Sequence, residues 1–336
     1  MTIESFPVNL STVARVLRIE PKTLYHWYRN HISDYQTEKE TEQWPAKHIE
    51  DVNRETGEIE KQKPLYVFKP ENLGSKMSID DKSLADEGFT IMSNSGSGKI
   101  ALMIESCKKD EVSAAISLFG SELQKVESIS CDMSPTYISA IKEQMPWAQI
   151  VIDKFHVMQY VYAAVSDVRI RIKNELTSSL SKGKEKTAFD KEILIKLEQL
   201  RRNRYRLLQS PYKWSAEGKE AMINLFKNHE ELKEAYVLSQ SFKNWYEYND
   251  RKKTRIDKIT SLHSWYEEIK KSKIKEFISP LKMIRKHEKE IINYFISGQT
   301  NAKAERLNGQ INRFISSNFG IRDKDFVLFR ISGYFS

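Results

Sequence analysis

The sequence has few cysteines and no long apolar run. Its two cysteines, Cys107 and Cys131, are too few for a disulfide framework or a four-thiolate zinc site, and both lie in apolar, strand-like runs where a reduced thiol fills core space. No apolar run approaches the roughly 20 residues that cross a bilayer, and the first ten residues lack the pattern of a secretory signal. These absences predict a cytoplasmic protein with no membrane partner.

Positive charge is what the sequence has in excess. It holds 54 Lys and Arg against 46 Asp and Glu, a net charge of +8, which fits a polyanionic partner such as DNA but is shared by many ribosomal and metabolic proteins. Basic residues crowd residues 169–206 and 251–289. The aromatic residues among or beside them predict either a phosphate-tracking surface with stacking rings or ordinary helix cores. They are Trp245, Tyr246, Tyr248, Trp265 and Tyr266.

Residues 1–37 have the spacing of a small helical, helix-turn-helix-like DNA-binding segment. Ser11 suits a helix N-cap and Pro21 the first position of a second helix. Ala14, Ile19, Leu24 and Trp27 fall where such a motif buries residues, although Arg18 occupies the turn position that usually holds glycine. The second helix would present these residues to a DNA groove: Lys22, Thr23, Tyr25, His26 and Arg29. Residues 38–63 are charged and poor in apolar residues, which predicts a linker over residues 38–75.

Residues 76–160 change to short alternating strands. KMSID alternates Met77 and Ile79 against Ser78 and Asp80, the pattern of a half-buried strand. FTIMSN and KIALMIES, joined by SGSG, predict a hairpin. Strands and helices then alternate, which favours a mixed sheet covered by helices. Residues 161–295 show long helical patterns without a credible strand, and residues 296–336 hold a last helix and an apolar tail.

Three carboxylates stand out from this pattern. Asp80 ends the first core strand, and Asp132 follows a strand in which Ile129 and Cys131 point inward and Ser128 and Ser130 outward. Glu305 shares a polar helix face with three asparagines, beside an apolar stripe, and such a face can serve a site or merely solvent. Phosphodiester displacement uses two divalent ions held by hard oxygen ligands on rigid elements. The polar face comprises Asn301, Glu305, Asn308 and Asn312, and the stripe Ala304, Leu307, Ile311 and Phe314.

Three motif blocks carry a family resemblance. They are D-M-x-P-x-Y from Asp132, D-x-F-H-V from Asp153 and T-N-x-x-x-E-x-L-N from Thr300. In order and spacing, the chain from about Lys76 to its end resembles the DDE transposases of the bacterial insertion-sequence family ISL3. The resemblance implies an α/β fold: an RNase H-like mixed-sheet core at residues 76–160 and 296–336, interrupted by a large all-α insertion at residues 161–295.

The resemblance also implies the site. Asp80, Asp132 and Glu305 would be the catalytic acids and would bind two Mg²⁺ or Mn²⁺ ions. The region after the first strand is about two residues shorter than the family pattern, so Asp81 and Asp86 compete for the role of first acid; Asp80 keeps the isoleucine–aspartate pair. Asp153 and His156 match a signature that would support the site or contact DNA, or would form a buried structural pair. Asn301 and Asn308 are further candidates for site support.

The implied function is cleavage and strand transfer of inverted-repeat DNA ends into target DNA. Two ends must be joined to one target, which predicts a homodimer or larger synaptic complex. Relatives carry a zinc module upstream, and without cysteine pairs we expect that module to be lost or to reside on a separate chain. The alternatives are a catalytically inactive, transposase-derived DNA-binding regulator and an RNase H-like nuclease or resolvase.

Overall fold

The computed structural model describes residues 9–52, 59–181, 187–248, 253–298, 302–317 and 323–336. The chain divides into two compact units, one of which interrupts the other in sequence. We call residues 1–153 with 297–336 the sheet unit, and residues 154–296 the helical unit. The sequence predicted an insertion at residues 161–295, and the helical unit begins seven residues earlier, where a strand passes directly into a long helix.

A seven-stranded mixed sheet organises the sheet unit. Its order is β1-β2-β5-β4-β3-β6-β7, with β3, β6 and β7 parallel and the other neighbouring pairs antiparallel. The strands are β1 Lys47–Val52, β2 Ile59–Phe68, β3 Lys76–Leu84, β4 Glu87–Asn94, β5 Ile100–Ile104, β6 Ser128–Cys131 and β7 Gln149–Ile152. Its helices are α1 Leu10–Leu17, α2 Pro21–Trp27, α3 Tyr35–Glu40, α4 Lys109–Ser117, α5 Pro135–Gln144, α13 Ala302–Ser317 and α14 Lys324–Phe335.

The central meander follows from its turns. Ala85 and Asp86 adopt positive φ angles of 51° and 64°, the geometry of a two-residue hairpin turn between β3 and β4. The predicted hairpin of β4 and β5 is confirmed. β3 continues four residues beyond Asp80, so Asp80 does not end the strand as predicted. The parallel pairing with β6 is recorded only as far as Ser78, whereas the antiparallel pairing with β4 runs to Leu84.

Both faces of the central strands are covered, which corrects the prediction of half-buried strands. Ser78, Ser128 and Ser130 were expected to point outward, and all three are buried. Parallel strands are normally covered on both faces because helices connect them, and here α5 links β6 to β7.

The segment predicted as a linker, residues 38–75, instead contributes β1 and β2. Three consecutive residues, Leu65, Tyr66 and Val67, are buried where β2 pairs with β5. The hairpin of β4 and β5 would otherwise leave an open edge, and β2 covers it. This tertiary pairing turns a charged segment into sheet.

The amino-terminal helices pack against α14 of the same unit. Arg18 takes the left-handed conformation (φ 56°) in the turn between α1 and α2, at the position noted from the sequence, and Ala14 and Leu24 are buried. Trp27, predicted to be buried, is 45% exposed, because Leu24 and Tyr28, one turn apart, carry the buried face instead. Rings of Tyr25, Tyr28 and Tyr35 contact the ring of Phe326 on α14, at centroid distances of 5.6, 5.8 and 5.2 Å.

The helical unit has no strand among its described residues. Its helices are α6 Lys154–Ser178, α7 Ala188–Arg202, α8 Ala216–Asn228, α9 Glu230–Tyr248, α10 Arg255–Ser272, α11 Ile278–Lys286 and α12 Glu288–Ser297, the last ending one residue into the sheet unit. Four of the aromatic residues considered for a stacking surface are buried in the core of this unit: Trp245, Tyr246, Trp265 and Tyr266. Across the described part of the chain, no helix combines the length and apolarity that crossing a membrane requires.

Candidate active site

The register of β3 and β6 places two of the predicted acids at one level. Ser78 pairs with Ser130, and the Ser130 hydroxyl donates to the Ser78 hydroxyl oxygen at 3.0 Å, so both side chains lie on the same face. Side chains alternate along a strand and neighbouring strands lie about 4.8 Å apart. Extending this register by two residues sets Asp132, just past the end of β6, level with Asp80. Both are half-buried.

Asp153 continues the same row on the next strand. Cys131 pairs with Ile152 in the parallel ladder of β6 and β7, so Asp153 follows β7 at the level where Asp132 follows β6. The backbone N–H of Asp153 donates to the carbonyl oxygen of Cys131 at 3.1 Å. Its side chain is buried, with 6% exposure. Three aspartates therefore follow one another across three neighbouring parallel strands.

The competitors for the first acid occupy different places. Asp81 and Asp80 lie on opposite faces of β3. Asp81 pairs with Thr90 of β4, and the Thr90 hydroxyl is 3.3 Å from the Tyr137 hydroxyl. Asp86 lies in the turn that ends the β3–β4 hairpin. Only Asp80 shares the face and level that the register gives Asp132.

Helix α13 contacts this face of β3 through polar side chains. The Asn308 amide donates to a carboxylate oxygen of Asp80 at 3.0 Å. Lys82, two residues further along the same face of β3, donates from Nζ to Asn312 Oδ1 at 2.8 Å and to the Asn308 carbonyl oxygen at 3.3 Å. Lys82 is 8% exposed, and burial lowers its pKa although the negative charge of Asp80 opposes this. Sequence analysis missed Lys82; its only signal is the two-residue spacing from Asp80.

Glu305 lies on the first turn of α13, three residues before Asn308. Residues three apart on a helix are neighbours on one face, so Glu305 shares the face whose Asn308 bonds Asp80, and it is exposed. The predicted apolar stripe is confirmed, because all four members are buried: Ala304, Leu307, Ile311 and Phe314. Asn301 lies outside the described residues.

Two of these carboxylates are candidate ligands for a divalent cation. Asp80 and Asp132 offer the hard oxygen ligands that Mg²⁺ prefers, on neighbouring rigid strands. In the part of the chain that the structure describes, no three His, Cys, Asp or Glu side chains are grouped closely enough to hold a metal ion. Asp80 and Asp132 therefore offer suitable donor atoms, but among the described residues neither Glu305 nor another such side chain joins them in a ready three-ligand group.

The structure also locates the other residues that the sequence predicted for the site or for DNA. His156 lies in the first turn of α6, where its ring contacts that of Phe155 at 5.8 Å. Of the five residues assigned to a DNA groove, Lys22 and His26 are exposed and Thr23 is half-buried. Tyr25 packs on Phe326, and Arg29 forms an ion pair with Asp323 at 2.6 Å. Tyr25 of α2 and Arg29, two residues past its end, are thus held by Phe326 of α14 and by Asp323 directly before it.

The helical unit carries two exposed tyrosines and an exposed arginine around the connection from α7 to α8, beside the half-buried Arg169 and Lys243. Tyr205 and Tyr212 are 64% and 71% exposed. The Arg204 guanidinium lies 4.6 Å from the ring centroid of Tyr205, and the Lys243 ammonium 5.8 Å from that of Tyr212. Burial, and then the positive charge of Arg204, lower the pKa of Arg169. We call Arg169, Arg204, Tyr205, Tyr212 and Lys243 the α7–α8 surface; the sequence marked its basic stretch but not its tyrosines.

Comparison with known proteins gives one family. A family model described as a transposase, of the DDE type ISL3, matches residues 77–331. No curated protein and no solved structure matches the chain. The matched residues include Asp80, Asp132 and Glu305 and span both units.

Proposed function

Since the chain belongs to the ISL3 family of DDE transposases, we propose that it cleaves insertion-sequence ends and transfers them to target DNA, with Asp80, Asp132 and Glu305 as the catalytic acids. The observation that carries the proposal is the pairing of Ser78 with Ser130, each two residues before one of the aspartates, together with the bond from Asn308 of α13 to Asp80. These acids lie far apart in the sequence: Asp80 lies on β3, Asp132 directly after β6 and Glu305 on α13, all within one unit.

The proposal includes an RNase H-like core. Its support is the strand order β5-β4-β3-β6-β7. In this order β3, β4 and β5 form an antiparallel meander, and β6 and β7 continue the sheet from β3 as strands parallel to it. β1 and β2 then extend the sheet beyond β5. The helical unit would be the all-helical insertion before the last acid, since Glu305 follows it in sequence.

The proposed reaction has two displacements at phosphorus. Water cleaves the phosphodiester at the element boundary, and the phosphorus–oxygen bond that breaks releases a 3′-hydroxyl. That hydroxyl oxygen then attacks a target phosphate, whose bridging 3′ oxygen leaves. Two bound Mg²⁺ or Mn²⁺ ions would activate the attacking oxygen and stabilise the leaving one. Asp80 and Asp132 would hold them, Glu305 would complete one ligand set, and Asn308 would orient the Asp80 carboxylate.

DNA contact is assigned in the proposal to the α7–α8 surface. Exposed tyrosines with cations over their rings suit a nucleic acid, because bases stack on aromatic rings and phosphates attract the cations. Because the reaction joins two ends to one target, the proposal includes a homodimer or larger complex. A separate chain that carries the zinc module would recognise the terminal repeats.

A strand-transfer assay tests the proposal. Pre-cleaved inverted-repeat ends, target DNA and Mg²⁺ or Mn²⁺ are incubated with the protein, and joined products are measured. We expect joined products from the wild-type chain and none from the variants Asp80→Asn, Asp132→Asn and Glu305→Gln. Cleavage without joining would identify a nuclease, and binding without either reaction would identify a regulator; each result would overturn the proposal.

A further inference from the structure

Lys82 is a buried lysine whose ammonium group is hydrogen-bonded within the sheet unit. It lies on β3 between the strand and α13, with 8% exposure. A buried ammonium is costly unless hydrogen bonds compensate it, and two acceptors on α13 do so: Asn312 Oδ1 at 2.8 Å and the Asn308 carbonyl oxygen at 3.3 Å. The partners lie more than 220 residues away in sequence.

The two polar contacts of α13 form a ladder along one face of β3. Asp80 and Lys82 are two residues apart and therefore point to the same face. Asn308 and Asn312 are four residues apart and lie on the same face of the helix. Asp80 bonds Asn308, and Lys82 bonds both Asn308 and Asn312. The ladder therefore fixes the position of the helix along the strand, which apolar packing alone specifies poorly.

We propose that Lys82 is a positioning residue: by its bonds to Asn308 and Asn312 it holds α13 on β3, and so sets Glu305 and the Asn308 amide relative to Asp80. This inference rests on the proposed function. Glu305 lies one turn from Asn308, so a shift or rotation of α13 moves Glu305 directly. Lys82 itself is covered and bonded, so it acts through the helix and not on DNA.

The test compares Lys82→Met with Lys76→Met. Methionine keeps the unbranched side chain and removes the donors. Lys76 lies on the same strand, is exposed, and donates to the Ser297 carbonyl oxygen at 3.0 Å, so its substitution removes the same charge and also one hydrogen bond. We expect Lys82→Met to lower the single-turnover cleavage rate about 10- to 100-fold, the usual effect of losing a group that orients ligands. Lys76→Met should stay within about twofold, as distant surface substitutions do.

A structural defect would affect other measurements. We expect Lys82→Met to bind end DNA without divalent metal as tightly as Lys76→Met does, and to retain its thermal unfolding midpoint to within a few degrees. Hydrogen exchange of amides in residues 305–312 should rise in Lys82→Met alone, a readout that needs no activity. A rate equal to that of Lys76→Met, or a loss matched by weaker DNA binding, would overturn the inference.

Asn312 gives a second route, in case Lys82→Met does not fold. Asn312 is exposed, so its substitution spares the core. Asn312→Asp keeps an acceptor for Lys82 and should retain the wild-type cleavage rate within about threefold. Asn312→Ala removes the acceptor and should lower the rate more than Asn312→Asp does. The double variant Lys82→Met with Asn312→Ala should be little slower than Lys82→Met alone, because both substitutions break the same bond. Equal rates for the two Asn312 variants would contradict the ladder.

The proposed function fails separately. If the wild-type chain makes no metal-dependent product, the transposase reaction is rejected, and if Asp132→Asn retains the product, the assignment of the acids is rejected, whatever Lys82 does. If Asp132→Asn abolishes the product and Lys82→Met matches Lys76→Met, only the role of Lys82 is rejected.

Discussion

The cation at the candidate site of the sheet unit and the arginine exposed on the α7–α8 surface of the helical unit have different surroundings. At the candidate site the sheet unit bonds its buried cation internally, since Lys82 donates to Asn312 of α13. The helical unit leaves Arg204 exposed beside an exposed tyrosine. A rigid sheet with internal polar bonds is suited to fixing reacting groups, whereas an exposed cation with a stacking ring is suited to a polyanion. The difference predicts that chemistry and DNA affinity can be damaged independently.

The largest effect should come from the acids of the sheet unit. We expect Asp80→Asn or Asp132→Asn to lower the cleavage rate at least about 1,000-fold, because losing a metal ligand removes several kcal/mol of transition-state stabilisation. Affinity for end DNA should change less than about threefold if DNA is held mainly through the helical unit. Single-turnover kinetics and fluorescence anisotropy measure the two.

Asp81→Asn is the matched control for these acids. It removes the same charge from the neighbouring position, on the other face of β3. Wild-type kinetics are expected for it. If Asp81→Asn abolished cleavage and Asp80→Asn did not, the choice of first acid would be wrong.

Phe326→Ala should destabilise the sheet unit alone. Phe326 is buried among Tyr25, Tyr28 and Tyr35, and truncating such a phenylalanine costs about 3–5 kcal/mol. Phe189 of the helical unit is exposed, so Phe189→Ala should cost less than about 0.5 kcal/mol. Hydrogen exchange, measured separately for the two units, tests both variants. Equal loss of protection in the two units after Phe326→Ala would contradict the expectation that only the sheet unit is destabilised.

Arg204→Ala should weaken DNA binding while leaving the single-turnover rate on saturating DNA unchanged. Losing one phosphate contact reduces the slope of log affinity against log salt by about 1. Arg201→Ala removes the same charge, but Arg201 already donates two hydrogen bonds of 2.7 Å to Glu198, so we expect a smaller change. Binding titrations at several salt concentrations decide, and identical slopes for the two variants would exclude a specific role for the α7–α8 surface.

The smallest effect concerns Arg171, whose guanidinium pairs with Glu175, Glu231 and Glu276. Burial alone would raise the pKa of Glu276, but the hydrogen bond and charge of Arg171, a backbone hydrogen bond and the charge of Lys275 together outweigh it, and the pKa is lowered. A lowered carboxyl pKa stabilises the fold above its unfolded value of about 4.3 and ceases to do so as the pH falls through the folded pKa. Arg171→Met should cost up to about 1 kcal/mol at neutral pH.

Denaturation at pH 7 and at pH 3 checks the prediction for Arg171. The difference between wild type and Arg171→Met should shrink at the lower pH, which lies below the unfolded pKa, because the unfolded chain then binds a proton at Glu276. A difference that persisted or grew would show that packing of the arginine stem, and not its charge, stabilises the helical unit.

Local pattern predicted much of this molecule. The hairpin of β4 and β5 was predicted from two apolar runs and the glycines between them, and the apolar stripe of α13 from its helical spacing. Such features depend on residues close in sequence. β2 was missed because it is held in the sheet by pairing with β1 on one side and with β5 on the other. Trp27 was misplaced because Tyr25 and Tyr28 contact Phe326, some 300 residues away, and these contacts select the buried side of this segment.

The sequence by itself indicated the candidate acids, the strand-poor insertion and the transposase family, because each depends on residue type and short-range spacing. Only the tertiary structure decided which of them meet. The parallel register of β3 and β6 sets Asp80 level with Asp132 and turns Asp81 to the other face. Hydrogen bonds between β3 and α13 join Asp80 to Asn308 and Lys82 to Asn312, over more than 220 residues of chain. Register and helix docking depend on packing across the whole unit, which short-range spacing does not encode.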